Sequence, residues 1–176
     1  MAMTLITTNT SSSVTTSSFT SGIDSTYKLY IFKIIDLGPE TDNKIFTFDG
    51  STDGGDNYGV TKTTTLFDAN HTEADAIELT YETGDDLAQA TGGARIQRAV
   101  GNGADESAAG ELHLFNPSST TYVKHFYVNT HYYHSADTAY SAYVGGYIND
   151  TTAIDDIRFK MSAGAFDGRI KMWRVK

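Results

Sequence analysis

Cysteine is absent from this 176-residue chain, and proline occurs only twice. Without cysteine the chain has no disulfides, no thiolate zinc ligands and no thiol nucleophile. Because proline removes a backbone hydrogen-bond donor, its scarcity leaves little to interrupt strand pairing. Hydrophobic residues make up 39% of the chain and charged residues 20%, which excludes a disordered protein. The length fits one domain with a sizeable core.

Long apolar runs and concentrated positive charge are also missing. No run approaches the roughly 20 residues of a membrane helix. The opening "MAMTLITTNTSSS" lacks the cationic start and apolar middle of a signal peptide. The formal net charge of -9 argues against binding to phosphate backbones, which needs clustered Lys and Arg. We therefore expect a soluble protein with no nucleic-acid partner and no membrane insertion.

The densest run of basic residues is the C-terminal "RIKMWRVK", which holds Arg169, Lys171, Arg174 and Lys176. These residues fit a contact for an acidic neighbour. They also fit an edge strand whose charges prevent unwanted pairing, and we favour this second interpretation.

Serine and threonine dominate Thr7 to Ser21, where they supply twelve of fifteen residues. The segment is too polar to make a core of its own, so it fits a flexible leader. It fits equally an extended arm that pairs with a neighbouring subunit, with Val14 and Phe19 as apolar assembly contacts. We accordingly divide the chain into an N-terminal arm or leader, residues 1–22, and one domain, residues 23–176.

Alternating apolar and polar residues predict strands through most of the remaining chain. "KLYIFKII" is apolar on both faces, as in a central strand, whereas "VTKTTTLF" is typical of a surface strand. Residues 68–110 are less regular: "ADAIEL" suits a helical turn, and "ARIQRAV" suits either a strand or a helix. "IRFKM" and "RIKMWRV", separated by "SAGAFDG", predict a closing hairpin. About nine strands joined by Gly, Asp and Asn turns predict an all-β protein, an antiparallel β-sandwich of jelly-roll type.

Three stretches carry a resemblance to a known family: "STYKLYIFKIIDLGPETDNKIFTFDGSTDGGDNY", "GELHLFNPSSTTYVKHFYV" and "GYINDTTAIDDIRFKMSAGAFDGRIKMWRVK". They resemble small virion structural proteins of tailed phages that infect marine bacteria and cyanobacteria. The resemblance covers roughly Tyr27 to Lys176 and implies a β-sandwich exposed on the particle, with no catalytic residue to transfer. Trp173 departs from the family pattern, which has a small residue or Tyr near that position.

Metal sites receive little support from the sequence. His131 and His134 are three residues apart, so a strand places them on opposite faces, whereas His125 and His131 share a face about 20 Å apart. The stretch "DGSTDGGDN" offers oxygen ligands suited to calcium in Asp49, Asp53, Asp56 and Asn57, but its spacing does not match a calcium loop. An ordinary Asp- and Gly-rich turn explains the stretch, and we expect no metal and no cofactor.

Catalytic motifs are missing as well. The neighbouring carboxylates at Asp85–Asp86 and Asp155–Asp156 would point to opposite faces of a strand, so neither pair suits an acid and base on one substrate. No nucleophile elbow, P-loop or dinucleotide fingerprint occurs. We expect a protein that is not an enzyme.

Aromatic residues are the remaining candidates for function, with eleven Tyr and one Trp. Sugars stack on exposed aromatic rings, and protein interfaces also favour Tyr and Trp. We predict Tyr127, Tyr133 and Trp173 as glycan or interface residues, and the alternative is that most of the tyrosines pack at the rim of the core.

The leading hypothesis is a non-enzymatic virion structural protein, a head decoration or external fibre component on the outer surface of the particle. Its partners would be capsid or tail proteins and further copies of itself. The alternative is a carbohydrate-binding module that contacts a host surface glycan.

Overall fold

The computed structural model describes residues 2–176, and within this range the chain forms twelve antiparallel strands and no helix. No segment of this range is therefore a helix that is long and apolar enough to cross a membrane. The strands are β1 (Met3–Val14), β2 (Thr16–Phe19), β3 (Leu29–Pro39), β4 (Lys44–Ser51), β5 (Lys62–Thr72), β6 (Ile77–Tyr81), β7 (Ala94–Val100), β8 (Ala108–Phe115), β9 (Lys124–His134), β10 (Thr138–Ile148), β11 (Asp156–Met161) and β12 (Phe166–Val175).

These strands form two facing layers. The large layer has the order β6-β5-β10-β9-β8-β3-β12-β1, and the small layer has the order β7-β4-β11-β2. A single pair, Val100 with His134, joins β7 to β9 and nearly closes the two layers into one sheet. The chain crosses between the layers at most of its connections, which is the connectivity of a jelly roll. The antiparallel β-sandwich of jelly-roll type that the sequence predicts is confirmed.

The core lies between the two layers and is rich in phenylalanine. Phe159 of β11 lies 5.9 Å from Phe46, 5.6 Å from Phe32 and 6.1 Å from Phe19, measured between ring centroids. All four rings are at most 2% exposed. Packed aromatic rings bury much apolar surface, so this cluster is a main source of the hydrophobic stabilisation.

The predicted closing hairpin is wrong. β11 pairs with β4 and β2, whereas β12 pairs with β1 and β3. The turn between them therefore carries the chain from the small layer to the large one. The inward residues are those that alternation predicts, Phe159 and Met161 in β11 and Ile170 and Met172 in β12, but they face each other across the core.

The prediction that the last strand is a charged edge is also wrong, because β1 covers β12. The basic residues do not form one patch. Arg169 and Lys171 lie on the outer face, while the guanidinium of Arg174 lies 4.6 Å from the ring centroid of Tyr27. β1, rather than β12, is the edge of the large layer at this side.

The Ser/Thr-rich segment forms β1 and β2, and both strands pair within the chain. Thr4 to Ser11 align with Gly168 to Arg174 of β12, and Thr16 to Phe19 align with β11. Phe19 is 2% exposed, and Val14 is half-buried against the same core. The segment is thus neither a flexible leader nor an arm on a neighbour in this structure, and Phe19 is a core residue instead of an exposed assembly contact.

The middle of the chain contains two strands, where the sequence suited a helical turn in "ADAIEL" and either a strand or a helix in "ARIQRAV". Ile77 to Tyr81 form β6, an edge strand beside β5. Ala94 to Val100 form β7, which pairs with β4. A β-strand at an edge can be short and polar on one side, so its sequence resembles a turn more than a buried strand does.

Candidate functional site

The outer surface of the large layer carries a line of aromatic and polar side chains along β9. The residues of β9 alternate between buried and exposed, so every second side chain points outward. The outward residues are His125, Tyr127, Asn129, His131 and Tyr133. We call this line the β9 face. From its first to its last residue it spans about 27 Å at the usual rise per strand residue.

Trp173 lies on the same side of the large layer as the β9 face. Strand register places Trp173 beside Ile31, Ile31 beside His113, and His113 beside Tyr127. Directly opposed residues of antiparallel strands point to one face, so these four side chains form a row across the strands. Trp173 and Tyr127 are thus about 14 Å apart, three strand spacings. The structure brings the three sequence-predicted aromatics, Tyr127, Tyr133 and Trp173, to one surface.

Tyr127 is held in place by a chain of polar contacts. Its ring stacks on the imidazole of His113 at 4.4 Å between centroids, and the two side chains join through Tyr127 Oη and His113 Nδ1 at 3.0 Å. His113 Nε2 lies 2.8 Å from Glu111 Oε1, and Lys33 Nζ lies 3.2 Å from Glu111 Oε2. In the neutral tautomer that carries its hydrogen on Nε2 and donates it to the carboxylate, Nδ1 accepts from the Tyr127 hydroxyl.

Within this series of contacts, the Lys33 ammonium and the Glu111 carboxylate stabilise each other. His113, and then Lys33, hold the pKa of the Glu111 carboxyl below its usual range, so the carboxylate stays ionised as an acceptor. The hydrogen bonds fix the ring plane of Tyr127, which remains 44% exposed. A fixed, exposed ring is a suitable platform for stacking against a sugar.

A groove of about 420 Å³ lies beside Tyr127 at one end of the β9 face. Gly145 and Gly146 of β10 line its floor, and Gly145, which pairs in register with the outward Tyr127, leaves the space opposite that ring free of a side chain. Thr63 to Thr65, Phe115, His125 and Tyr147 complete the walls. This end of the face carries no Asp, Glu, Lys or Arg among its lining residues.

The other end of the β9 face opens into a larger and acidic groove of about 630 Å³. Tyr133 Oη lies 3.2 Å from Glu73 Oε1 and 3.4 Å from Asp137 Oδ1. Desolvation, together with these two carboxylates, raises the pKa of Tyr133 to about 12, so its hydroxyl stays protonated and donates. His71, Asp75, Asp105 and His131 also line this groove. A third groove, lined by Lys33, Glu111, Asn129 and His131, lies between the two ends.

Asp49 and Asp53, two of the residues considered for calcium binding, are engaged in hydrogen bonds within the protein. Asp49 Oδ1 accepts from the buried Lys62 Nζ at 2.8 Å, and Asp53 accepts from Ser51 Oγ and from the backbone N–H and side-chain amide of Asn57. The Asp- and Gly-rich stretch is therefore a hydrogen-bonded turn whose Asp49 points away. His131 points outward and His134 inward, where its ring lies 4.9 Å from Tyr140. Residues 2–176 contain no cluster of three or more His or acidic residues that could hold a metal ion.

The neighbouring carboxylates separate, although Asp85 and Asp86 lie in a turn and Asp155 lies just before β11, so the strand alternation expected for them does not apply. Asp85 is buried and forms ion pairs with Arg95 and Arg98, whereas Asp86 accepts from the Tyr81 hydroxyl at 2.8 Å. Asp155 accepts from the backbone N–H of Gly54. Burial, and then the charge of Asp155, raise the pKa of Asp156. None of the four carboxylates lines the grooves of the β9 face.

Sequence reasoning missed His113 and Gly145 as members of this site. His113 is adjacent to Tyr127 only through the pairing of β8 with β9, and its role depends on that register. Gly145 contributes by lacking a side chain opposite Tyr127. A glycine pair inside a strand signals a close approach or an open surface, and that signal was available in "YVGGY".

Comparisons with known proteins leave the family open. No protein-family model matches the chain, and no curated protein matches it. One solved structure with a weak likeness is alginate lyase A1-II′, a member of polysaccharide lyase family 7, with 14% identity and a TM-score of 0.21. The alignment covers 81% of this chain and 63% of the lyase, so the chain spans less than two thirds of that protein's length. A TM-score this low supports no inference about activity.

Proposed function

We propose that the protein is a non-enzymatic structural protein of a phage virion, exposed on the outer surface of the particle as a head decoration or an external fibre component. The resemblance over Tyr27 to Lys176 supports this proposal. A compact sandwich with both terminal segments paired into its sheets also suits a protein that must withstand an extracellular environment. Its partners would be capsid or tail proteins and further copies of the chain.

Particle composition tests this proposal. Virions produced from the genome that encodes the chain would be purified by density gradient, washed at high salt and analysed by mass spectrometry. The chain should be present in a fixed ratio to the major capsid protein in every preparation. Its absence from washed particles, with the chain found only in the lysate, would contradict the proposal.

A second function, carbohydrate binding during host adsorption, is favoured by the β9 face. Tyr127 combines a ring fixed by His113 with a neighbouring groove whose glycine floor leaves room for a flat sugar. The rest of the face presents hydroxyl, amide and imidazole groups, which can form hydrogen bonds with the many hydroxyls of a glycan. Such a module would bind an extended chain along β9, which matches its length of about 27 Å.

The charge of this surface indicates which glycans it would accept. The groove beside Tyr127 is free of charged side chains, and the groove at Tyr133 is lined by Glu73, Asp75, Asp105 and Asp137. Carboxylates repel polyanions, and the whole chain has a net charge of -9. We infer that the preferred ligands are neutral or amino-bearing glycans, and that uronate-rich or sulfated polysaccharides bind poorly.

A glycan array with the purified chain tests the binding function, with two tyrosine variants to locate the site. Tyr127→Ala should weaken binding by about tenfold or more, because it removes the stacking platform. Tyr122→Ala is the matched control, because Tyr122 is 69% exposed in the loop before β9 and lies outside all three grooves.

Two results would contradict carbohydrate binding at this site: no glycan binds to the chain, or Tyr127→Ala and Tyr122→Ala bind glycans equally well. If the chain is nevertheless found on particles, only the structural role would remain.

A further inference from the structure

β6 exposes more apolar surface than its position in a soluble sandwich requires. Ile77 is 80% exposed, Leu79 73% and Tyr81 48%, and all three point to the outer side of the large layer. The patch continues onto the neighbouring strands, where Phe67 and Tyr143 stack with their ring centroids 5.2 Å apart. Contiguous exposed apolar side chains mark an interaction surface more often than scattered ones do.

The backbone of β6 is also unpaired along one edge, because β5 is its only neighbour among residues 2–176. The amide of Glu82 donates to Leu66 O, and the carbonyl of Ala76 accepts from Thr72 N. Since alternate residues of an antiparallel strand direct both backbone groups to the same side, the even-numbered residues face β5. The N–H and C=O groups of Ile77, Leu79 and Tyr81 therefore point away from the molecule, beside the exposed side chains.

We propose that two copies of this chain associate through β6, antiparallel and about a twofold axis at Leu79. This register places Leu79 opposite Leu79 of the second copy, and Ile77 opposite Tyr81 of the second copy. Each of these pairs has outward backbone groups on both strands, so each pair exchanges two hydrogen bonds. The two eight-stranded layers then join into one continuous sheet.

The side chains of β6 are self-complementary in this register. The exposed apolar residues meet one another as cross-strand neighbours, which contact and stabilise a sheet. The acidic Glu78 lies opposite Thr80 of the second copy, so no two like charges are directly opposed within β6. No Lys or Pro protects the edge against pairing. These features indicate a second copy as the partner, and they are independent of glycan binding.

Light scattering coupled to size-exclusion chromatography tests the dimer. The wild-type chain should elute with a mass twice its 19.1 kDa and dissociate on dilution. Leu79→Lys should give a monomer at the same concentration, because it places two ammonium groups directly opposite each other across the axis. Leu5→Lys is the matched control, since Leu5 is 43% exposed on β1 at the opposite edge of the same layer. It should remain a dimer.

Cross-linking supplies a second readout that does not depend on a disruptive variant. The chain has no cysteine, so Leu79→Cys introduces a single thiol. Opposed residues of a hydrogen-bonded pair lie about 5.5 Å apart at their Cα atoms, within the range of a disulfide. Oxidation should yield covalent dimers of Leu79→Cys and almost none of Leu5→Cys. A monomeric wild-type chain at millimolar concentration, or an oligomer that is unaffected by Leu79→Lys and not cross-linked through position 79, would overturn the proposal.

Discussion

At the scale of single residues, Lys62 is buried in an ion pair with Asp49, although the sequence around it predicts an exposed strand. Lys62 Nζ is fully buried and donates to Asp49 Oδ1 at 2.8 Å and to Val60 O at 2.7 Å. Burial raises the pKa of the Asp49 carboxyl, and the Lys62 ammonium opposes that shift. The sequence predicts a polar surface strand here, because Lys is almost always exposed unless it is paired.

Removing Lys62 should destabilise the fold. Lys62→Met removes the hydrogen-bonded partner of the buried Asp49 carboxylate and leaves only the guanidinium of Arg158, 3.6 Å away, which costs about 3–5 kcal/mol. Urea unfolding followed by circular dichroism measures the change. Arg169→Met is the control, because its contact with Asp36 is 3.7 Å long and exposed, and such pairs contribute at most about 1 kcal/mol. Equal losses for both variants would contradict the buried pair.

The two glycines of β10 should respond differently to the same substitution. A Cβ at Gly146 would lie 2.6 Å from Thr63 O and 2.9 Å from Phe126 Cζ, so Gly146→Ala should cost about 1–3 kcal/mol. A Cβ at Gly145 would have Thr65 Oγ1 as its nearest neighbour, at 3.6 Å, so Gly145→Ala should be neutral.

Thermal unfolding of the two variants measures the difference between these glycines. Gly145→Leu should fold normally and fill the groove beside Tyr127, which would weaken glycan binding. Normal binding by a folded Gly145→Leu would show that this groove is not the site.

At the scale of elements, the alternation of apolar and polar residues predicted which face of a strand is buried, but it did not predict which strands pair. The inward residues of β11 and β12 follow directly from "IRFKM" and "RIKM", yet the two strands lie in different layers. Alternation reports which side of a strand is buried, whereas the choice of neighbour depends on contacts far along the chain. For the same reason the sequence did not predict His113 as a site residue, because its neighbour Tyr127 belongs to another strand. Tyr127 itself was predictable from its own pattern.

Phe19 of β2 gives the clearest test of whether the Ser/Thr-rich N-terminal segment packs within the sandwich. Phe19 is 2% exposed and lies 5.2 Å from the ring of Phe32, so Phe19→Ala should cost about 3–5 kcal/mol. Val14→Ala should cost much less, because Val14 is only half-buried. Chemical denaturation of the isolated chain measures both. A negligible effect of Phe19→Ala would indicate that the segment is detached in solution and free to act as an arm.

At the scale of the whole molecule, the two proposed contacts would use different surfaces of the sandwich. The β9 face offers aromatic platforms and grooves on the outer side of the large layer, and β6 forms an apolar edge of the same layer. The β6 pairing would place two β9 faces on one continuous sheet. Two linked sites raise the avidity for a repeating polysaccharide without any new contact, provided that one chain can reach both.

Labelling of intact particles tests the central claim, exposure on the virion, most directly. Tyr122→Cys places the chain's single thiol in a loop at a position that is 69% exposed in the native residue, where it can carry a gold cluster. Virions assembled with this variant would be labelled intact and imaged by electron microscopy. The account predicts gold at regular positions on the outside of undisrupted heads or fibres. Particles that are labelled only after disruption, or that carry no label at all, would contradict it.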